Sequence, residues 1–272
     1  MQLTVQKLLN IINIFAPFDL AENWDNSGLQ SGNLDWKIQK IMVSLDVSME
    51  VLEDAKRWGA DLVLSHHPLQ MISEKSINFG EMPGSAICLS AREKISILSA
   101  HTNLDKAMDG LNDYFAKMIG VECDESLCSD SQLLESKGRF QGLGRIGHLD
   151  SPRSLQNLVL QVKEGLGLEY LRVTGDLNFQ VEKVALCTGS GGSLVDSFLG
   201  SSADVYITGD VKYHEARQIE MHHRALIDVG HFASEVIVVD LLETKLSKAL
   251  SSMGYDIEIK GYKKEKDPFK TV

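Results

Sequence analysis

Lys40-Ile-Met-Val-Ser44 and Ala60-Asp-Leu-Val-Leu-Ser65 are short apolar runs of strand character. The residues between them, Met49–Trp58, have the apolar spacing of an amphipathic helix. Strand, helix, strand at this length is a βαβ unit, and such a crossover implies parallel pairing. The pattern then returns. Lys183-Val-Ala-Leu-Cys187 and Ala203-Asp-Val-Tyr-Ile-Thr208 align with the first two runs at a single offset and without a gap. An α/β fold of two similar lobes, related by an internal repeat, is expected.

Working outward, residues 3–15 read as an amphipathic helix capped by Thr4, and residues 22–32 as a loop rich in Asn, Asp, Ser and Gly. A strand is expected at 95–100 and a helix at 111–119. In the second half, strands are expected at 204–208, 225–229 and 256–259, and helices at 194–199, 213–221 and 234–250. These assignments give a first lobe at 1–122 and a second at 181–272. Residues 123–180 do not fit the repeat. They hold an extended segment at 142–149, a helix at 152–166 and a strand at 168–174, and read as a connecting insert at an edge of the second lobe.

Composition narrows the function classes. A chain of 272 residues with 43% hydrophobic and 24% charged residues is globular and large enough for one domain or two coupled ones. A formal net charge of −11 argues against a nucleic-acid backbone as main partner. The basic run at 260–270 reads as a solvated tail. Cys88, Cys123, Cys128 and Cys187 form no C-x-x-C pair and read as small buried residues. The first residues lack the features of a signal peptide, and no stretch approaches the roughly 20 apolar residues that span a bilayer, so a cytoplasmic protein is expected.

The histidines carry the chemistry. His101 and Asp105 follow one apolar run, and His231 and Glu235 follow another at the same His-x3-acid spacing. A second offset aligns the two pairs. His66-His67, before Pro68, closes a third run. On a helical turn, a spacing of four puts histidine and acid on one face. Imidazoles and carboxylates gathered at strand C-terminal ends suit a hydrolytic metal centre, and open α/β sheets place their sites there. Donors without thiolate fit Zn, Mn, Fe, Co or Ni and do not choose among them. Glu235 is the candidate to bridge two divalent cations. His101 and His214 are candidate proton carriers. Trp24 can stack on a base and Asn26 can hydrogen-bond to substrate. Gly189-Ser-Gly-Gly-Ser193 offers backbone N–H groups to a phosphate, without a P-loop lysine or the full dinucleotide fingerprint.

Five motifs, in order, carry a family resemblance: Trp24-Asp-Asn-Ser-Gly-Leu-Gln30, Ser65-His-His-Pro68, His101-Thr-Asn-Leu-Asp105, Thr208-Gly-Asp-Val-Lys-Tyr-His-Glu-Ala216 and Gly230-His-Phe-Ala-Ser-Glu235. On them the chain resembles the NIF three-like family, also called GTP cyclohydrolase I type 2 homologues. The resemblance implies two similar α/β lobes around a dinuclear metal cleft. It implies ligands His66, His67, Asp105, His231 and Glu235, with Glu235 contacting both ions and His101 beside the site. It further implies a homohexameric ring in the compact form, without the separate domain of longer members. The expected function is a dinuclear divalent-metal-dependent hydrolase. Its water would attack a nucleotide or phosphoester, for GTP at C8. The alternative is a metal carrier or regulatory scaffold without turnover.

Overall fold

A computed structural model describes residues 2–71, 75–128 and 141–271. The chain divides into two compact units, residues 1–104 with 238–266, and residues 105–237 with 267–272.

In chain order the first unit carries β1 (Leu3–Thr4), α1 (Val5–Phe15), β2 (Gly28–Ser31), β3 (Lys37–Ile38), β4 (Lys40–Ser44), α2 (Met49–Trp58), β5 (Leu62–Ser65), α3 (Gly84–Glu93), β6 (Ser96–Ser99) and the start of α4 (Thr102–Lys106). The second carries α5 (Leu111–Met118), β7 (Glu122–Glu125), β8 (Arg145–Ser154), α6 (Leu155–Leu166), β9 (Arg172–Thr174), β10 (Gln180–Ser190), α7 (Val195–Gly200), β11 (Val205–Gly209), α8 (Tyr213–Met221), β12 (Ala225–Asp228) and α9 (His231–Glu235). The chain then returns to the first unit with α10 (Val238–Ser252) and β13 (Glu258–Gly261).

The first sheet has the order β13-β4-β5-β6-β2, parallel except for the β2 edge. The loop expected at 22–32 therefore ends in a strand. α2 is bounded as its sequence dictates. Ser48 Oγ accepts from Val51 N at its start, and Gly59, at φ 77°, closes its end. Val51, Leu52 and Ala55 face a core with Met42, Val63, Ala86, Leu89 and Ile97.

The second sheet has the order β7-β8-β10-β11-β12-β9. Its centre, β10-β11-β12, is parallel, and the remaining pairs are antiparallel. The segment at 123–180 is thus more than a connection, since most of β7 and all of β8 and β9 come from it. The helix expected from residue 152 begins only at Leu155, because Pro152 belongs to β8. Its stretch of β8 lies where the register with β10 shifts, a place that tolerates a missing N–H. Arg145, fully buried on β8, holds this unit's interior. Its guanidinium binds the Asp113 carboxylate at 2.7 and 2.9 Å and the carbonyls of Ala107, Gly142 and Gly144 at 2.8 Å each.

The repeat is visible inside each sheet. Asp61 Oδ2 accepts from the backbone N of Gln39 and Lys40 at 2.7 and 3.0 Å. At the matching place Asp204 Oδ2 accepts from Glu182 and Lys183 at 2.9 and 2.8 Å. One aspartate at the head of a strand clamps its neighbour where their parallel pairing begins in both units.

Two expectations change at the C-terminus. The helix expected at 234–250 is two helices, α9 and α10. The last strand, assigned to the second lobe, is an edge of the first sheet, pairing Ile259 with Ile41 and Gly261 with Val43. The repeat supplies no counterpart beyond Glu235, so it gives no place for α10 or β13. Among the described residues, no helix is long and apolar enough to cross a membrane.

Candidate metal centre

In the first unit β5 and β6 end side by side, and three imidazoles gather there. One nitrogen from each of His66, His67 and His101 lies within 4.8 Å of the others. The ring centroids are 5.1 Å apart for His66–His67, 5.1 Å for His66–His101 and 5.6 Å for His67–His101. His66 is fully buried, His101 nearly so, and His67 is half-buried.

Each ring is fixed through Nδ1. That of His66 lies 2.8 Å from the Ala100 carbonyl, that of His67 2.8 Å from Asp46 Oδ1, and that of His101 2.8 Å from Asp25 Oδ1. A carbonyl or ionised carboxylate only accepts, so Nδ1 carries the proton and Nε2 is the nitrogen suited to a metal. Orienting ligand histidines through the other ring nitrogen is the usual way proteins prepare a metal site.

Asp25 does more than hold one ring. Its side chain is fully enclosed, and it also accepts from Thr102 N at 3.1 Å, Ser27 Oγ at 2.7 Å and Thr102 Oγ1 at 2.5 Å. Burial alone would raise its pKa, but the hydrogen bonds from His101 and Thr102 outweigh burial and hold the carboxyl well below its ordinary range. Asp25→Asn is expected to cost about 2 kcal/mol at pH 7, the worth of charge-assisted hydrogen bonds. Because the folded pKa is depressed, this stabilisation is complete above the unfolded value of about 3.9 and is lost as pH falls through the folded one. Urea unfolding should therefore show a gap between wild type and variant that narrows once pH falls below about 4. A gap that keeps widening below that pH would contradict this account.

In the second unit the strand ends again converge. His231 begins α9. Its Nδ1 is 2.8 Å from Asp210 Oδ2 and its Nε2 is 2.8 Å from Glu235 Oε2. Glu235 is buried while His231 is half-exposed. Asp210 occupies the left-handed region at φ 55°, which a short acidic side chain tolerates. Asp228, buried at the end of β12, accepts from Val211 N and Gly230 N and pairs with Arg172. It thereby fixes the turns that bear both Asp210 and His231. Ser234 Oγ donates to the His231 carbonyl and accepts from Gly189 N at 2.9 Å.

Gly189 leaves room for the acid. Its φ is +67°, and a Cβ there would sit 2.1 Å from Glu235 Oε1 and 3.5 Å from His231 Nε2. This geometry corrects the phosphate cradle expected at 189–193. The N–H groups of Gly189 and Gly191 are engaged by Ser234 Oγ and the Gly209 carbonyl, so neither serves as a phosphate donor here. The glycines instead let backbone and side chains approach around His231 and Glu235.

The other expected residues lie nearby or apart. Asp105 is buried on α4, and Asn112 Nδ2 donates to its carbonyl while Asn112 Oδ1 accepts from Thr188 N. Burial, then the charges of Asp105 and Glu235, push the Cys187 thiol up; burial and Asp113 push Cys123 up to about 12. His214 is exposed on α8 with its ring against Tyr213, and it belongs to none of the candidate metal-holding groups among the described residues. Trp24 is 59% exposed and stands edge-on to His101 at 6.0 Å. Asn26 Nδ2 already donates to Gln30 Oε1 and the Gln70 carbonyl. Of the clamps, Asp46 is absent from the residues expected on sequence grounds, and Asp25 stands there only within the Trp24–Gln30 motif, without a clamping role. The separation His67–Asp46, 21 residues, equals that of His231–Asp210 and is a usable signal for one of them.

The model of the Duf34/NIF3 (NGG1p interacting factor 3) family matches residues 3–268. The chain belongs to that family. A relative from Clostridium perfringens, "GTP cyclohydrolase 1 type 2 homolog", is 34% identical over 265 residues, covering 97% of this chain and 98% of its own. Among solved structures, a Bacillus cereus protein related to NIF3 superposes with a TM-score of 0.91 at 23% identity, covering 99% of both chains. Reduced HcgD from Methanocaldococcus jannaschii superposes with a TM-score of 0.79 at 29% identity, covering 97% of this chain and 99% of that one. The Duf34/NIF3 fold of two sheet-containing α/β lobes is the fold of this protein.

Proposed function

We propose that the protein is a hydrolase dependent on a dinuclear divalent-metal centre, held by His66, His67, Asp105, His231 and Glu235. The observation that carries the reading is the shared treatment of the histidines, each of the four having Nδ1 tied to an oxygen acceptor. Imidazoles each held through Nδ1, with a buried carboxylate beside one of them, are a donor set that fits a divalent cation. When bound, such ions would lower the pKa of a water and polarise the attacked centre.

The protein's own groups do the rest. His101, steadied by Asp25, is the better candidate to move a proton at Nε2, whereas His214 would need substrate to reach it. The exposed indole of Trp24 offers a face for a purine, which favours a nucleotide over a simple phosphoester. For GTP the attacked atom would be C8, and for a phosphoester phosphorus. A homohexamer is the proposed assembly. Light scattering of the purified protein tests it.

Untagged protein is expected to hold two divalent ions per chain by elemental analysis. After demetallation and reloading with Mn²⁺ or Zn²⁺, wild type should hydrolyse GTP or a phosphoester and Glu235→Ala should not. Equal turnover by the two would sink the mechanism. A carrier or scaffold role is the second reading, favoured by the half-exposed His67 and His231, through which ions can exchange. Release of metal to an acceptor protein, without turnover of any substrate, would select it.

A further inference from the structure

We infer that Glu265, in the segment after β13, is a positioning residue for His67 and acts on it through Asp46. The inference rests on the proposal that His67 is a metal ligand.

Sheet register brings the two residues to one end of the fold. β13 runs parallel to β4, so both strands finish at the same end of the sheet, where β5 delivers His66 and His67. Pairing persists to Gly261 with Val43, and Tyr262 N then donates to the Val43 carbonyl at 2.8 Å. Tyr262 is buried in the core of this unit, and Lys264 Nζ binds Asp54 Oδ2 at 2.6 Å. The segment is thus led past the end of β4 and anchored there, which corrects the expectation of a solvated tail for its first residues.

Its carboxylate then closes the strand end. Glu265 Oε2 accepts from Leu45 N at 2.9 Å and Oε1 accepts from Asp46 N at 2.8 Å. The turn gains one more tie, from Ser44 Oγ to the Asp46 carbonyl at 2.7 Å. With its backbone fixed on both sides, Asp46 presents Oδ1 to His67 Nδ1 at 2.8 Å, while His67 N donates to the Leu45 carbonyl at 2.9 Å. The hydrogen bonds of Glu265 go to the backbone of Leu45 and Asp46 and not to the His67 ring. Glu265 holds the turn that holds the ring. His67 is the least buried of the three rings in this cluster, so it depends most on such a tether.

Two acceptor oxygens are required, one for each N–H. Glu265→Gln keeps the volume and the packing but faces one N–H with an amide donor. Co²⁺ titrated into demetallated full-length protein, followed by its visible absorption, is expected to bind about tenfold more weakly to Glu265→Gln than to wild type. Glu265→Asp, which keeps both oxygens, should fall between. In an Asp46→Ala background the relay is already cut, so Glu265→Gln should change affinity less than about twofold. Lys264→Ala should bind like wild type. Equal affinity in wild type and Glu265→Gln would overturn the inference alone, as would an equal loss in both backgrounds. A wild type that binds no Co²⁺ would overturn this inference and the proposed function together. A metal-free readout is the His67 Nδ1–H resonance, expected to broaden by solvent exchange in Glu265→Gln and not in Lys264→Ala. If it stays sharp in both, the relay is refuted without any metal present.

Discussion

Arg145→Ala is expected to destabilise the second unit by about 3–5 kcal/mol, the cost of breaking a buried ion pair from one side. The guanidinium is fully buried and makes five hydrogen bonds, two to Asp113 and three to the carbonyls of Ala107, Gly142 and Gly144. Alanine leaves the three carbonyls without that donor, the Asp113 charge without its partner, and a cavity between α5 and β8. Lysine retains the charge but not the planar fork, and should recover only part of the loss. Thermal unfolding is the measurement, with a fall on the order of 10 °C expected for a unit of this size. A fall of only a degree or two would mean that the network contributes little.

Gly189→Ala is the second large effect, and it separates the site from the fold. The left-handed backbone at this position costs an alanine about 1–2 kcal/mol, which a protein of this size survives. The new Cβ would stand 2.1 Å from Glu235 Oε1, so the carboxylate must move. If Glu235 bridges two ions, both lose a ligand, and metal affinity should fall by about 100-fold or more, beyond what loss of an outer partner causes. Metal titration of a folded Gly189→Ala protein checks this. Near-normal metal content would show that Glu235 is not a required ligand.

Much of the fold is legible in the chain because local signals agree with one another. α2 has its Ser48 cap, its apolar face and Gly59 at its end, and the structure gives Met49–Trp58 as read. α8 likewise matches its expected bounds. α3 is not legible. Its inward positions include Gly84, Ala86 and Ser90, which bury without marking a strong apolar stripe. Edge strands are the other gap. β2, β7 and the far half of β8 carry Gly, Ser, Pro and acidic residues, because an edge needs less apolar surface than a centre.

The candidate site divides the same way. Its histidines announce themselves by spacing, since His231 and Glu235 are one helical turn apart and pair at 2.8 Å. Their clamps do not, because Asp46 and Asp210 reach His67 and His231 only once neighbouring parallel strands lie side by side. Asp25 reaches His101 across 76 residues of chain. Proximity of that kind is made by topology, and one sequence records it only where a repeat states it twice.

The placement of β13 bears on how the molecule is made. The first sheet takes four of its strands from residues 28–99 and its remaining edge from Glu258–Gly261. During synthesis residues 105–237 of the second unit therefore emerge from the ribosome before the first sheet can be completed. The exposed flank of β4 must wait, unpaired, until residues 258–261 have been made, and its closure has a high contact order. The cluster of His66, His67 and His101 acquires its last tether, from Glu265, only after residues 105–237 of the second unit have been made.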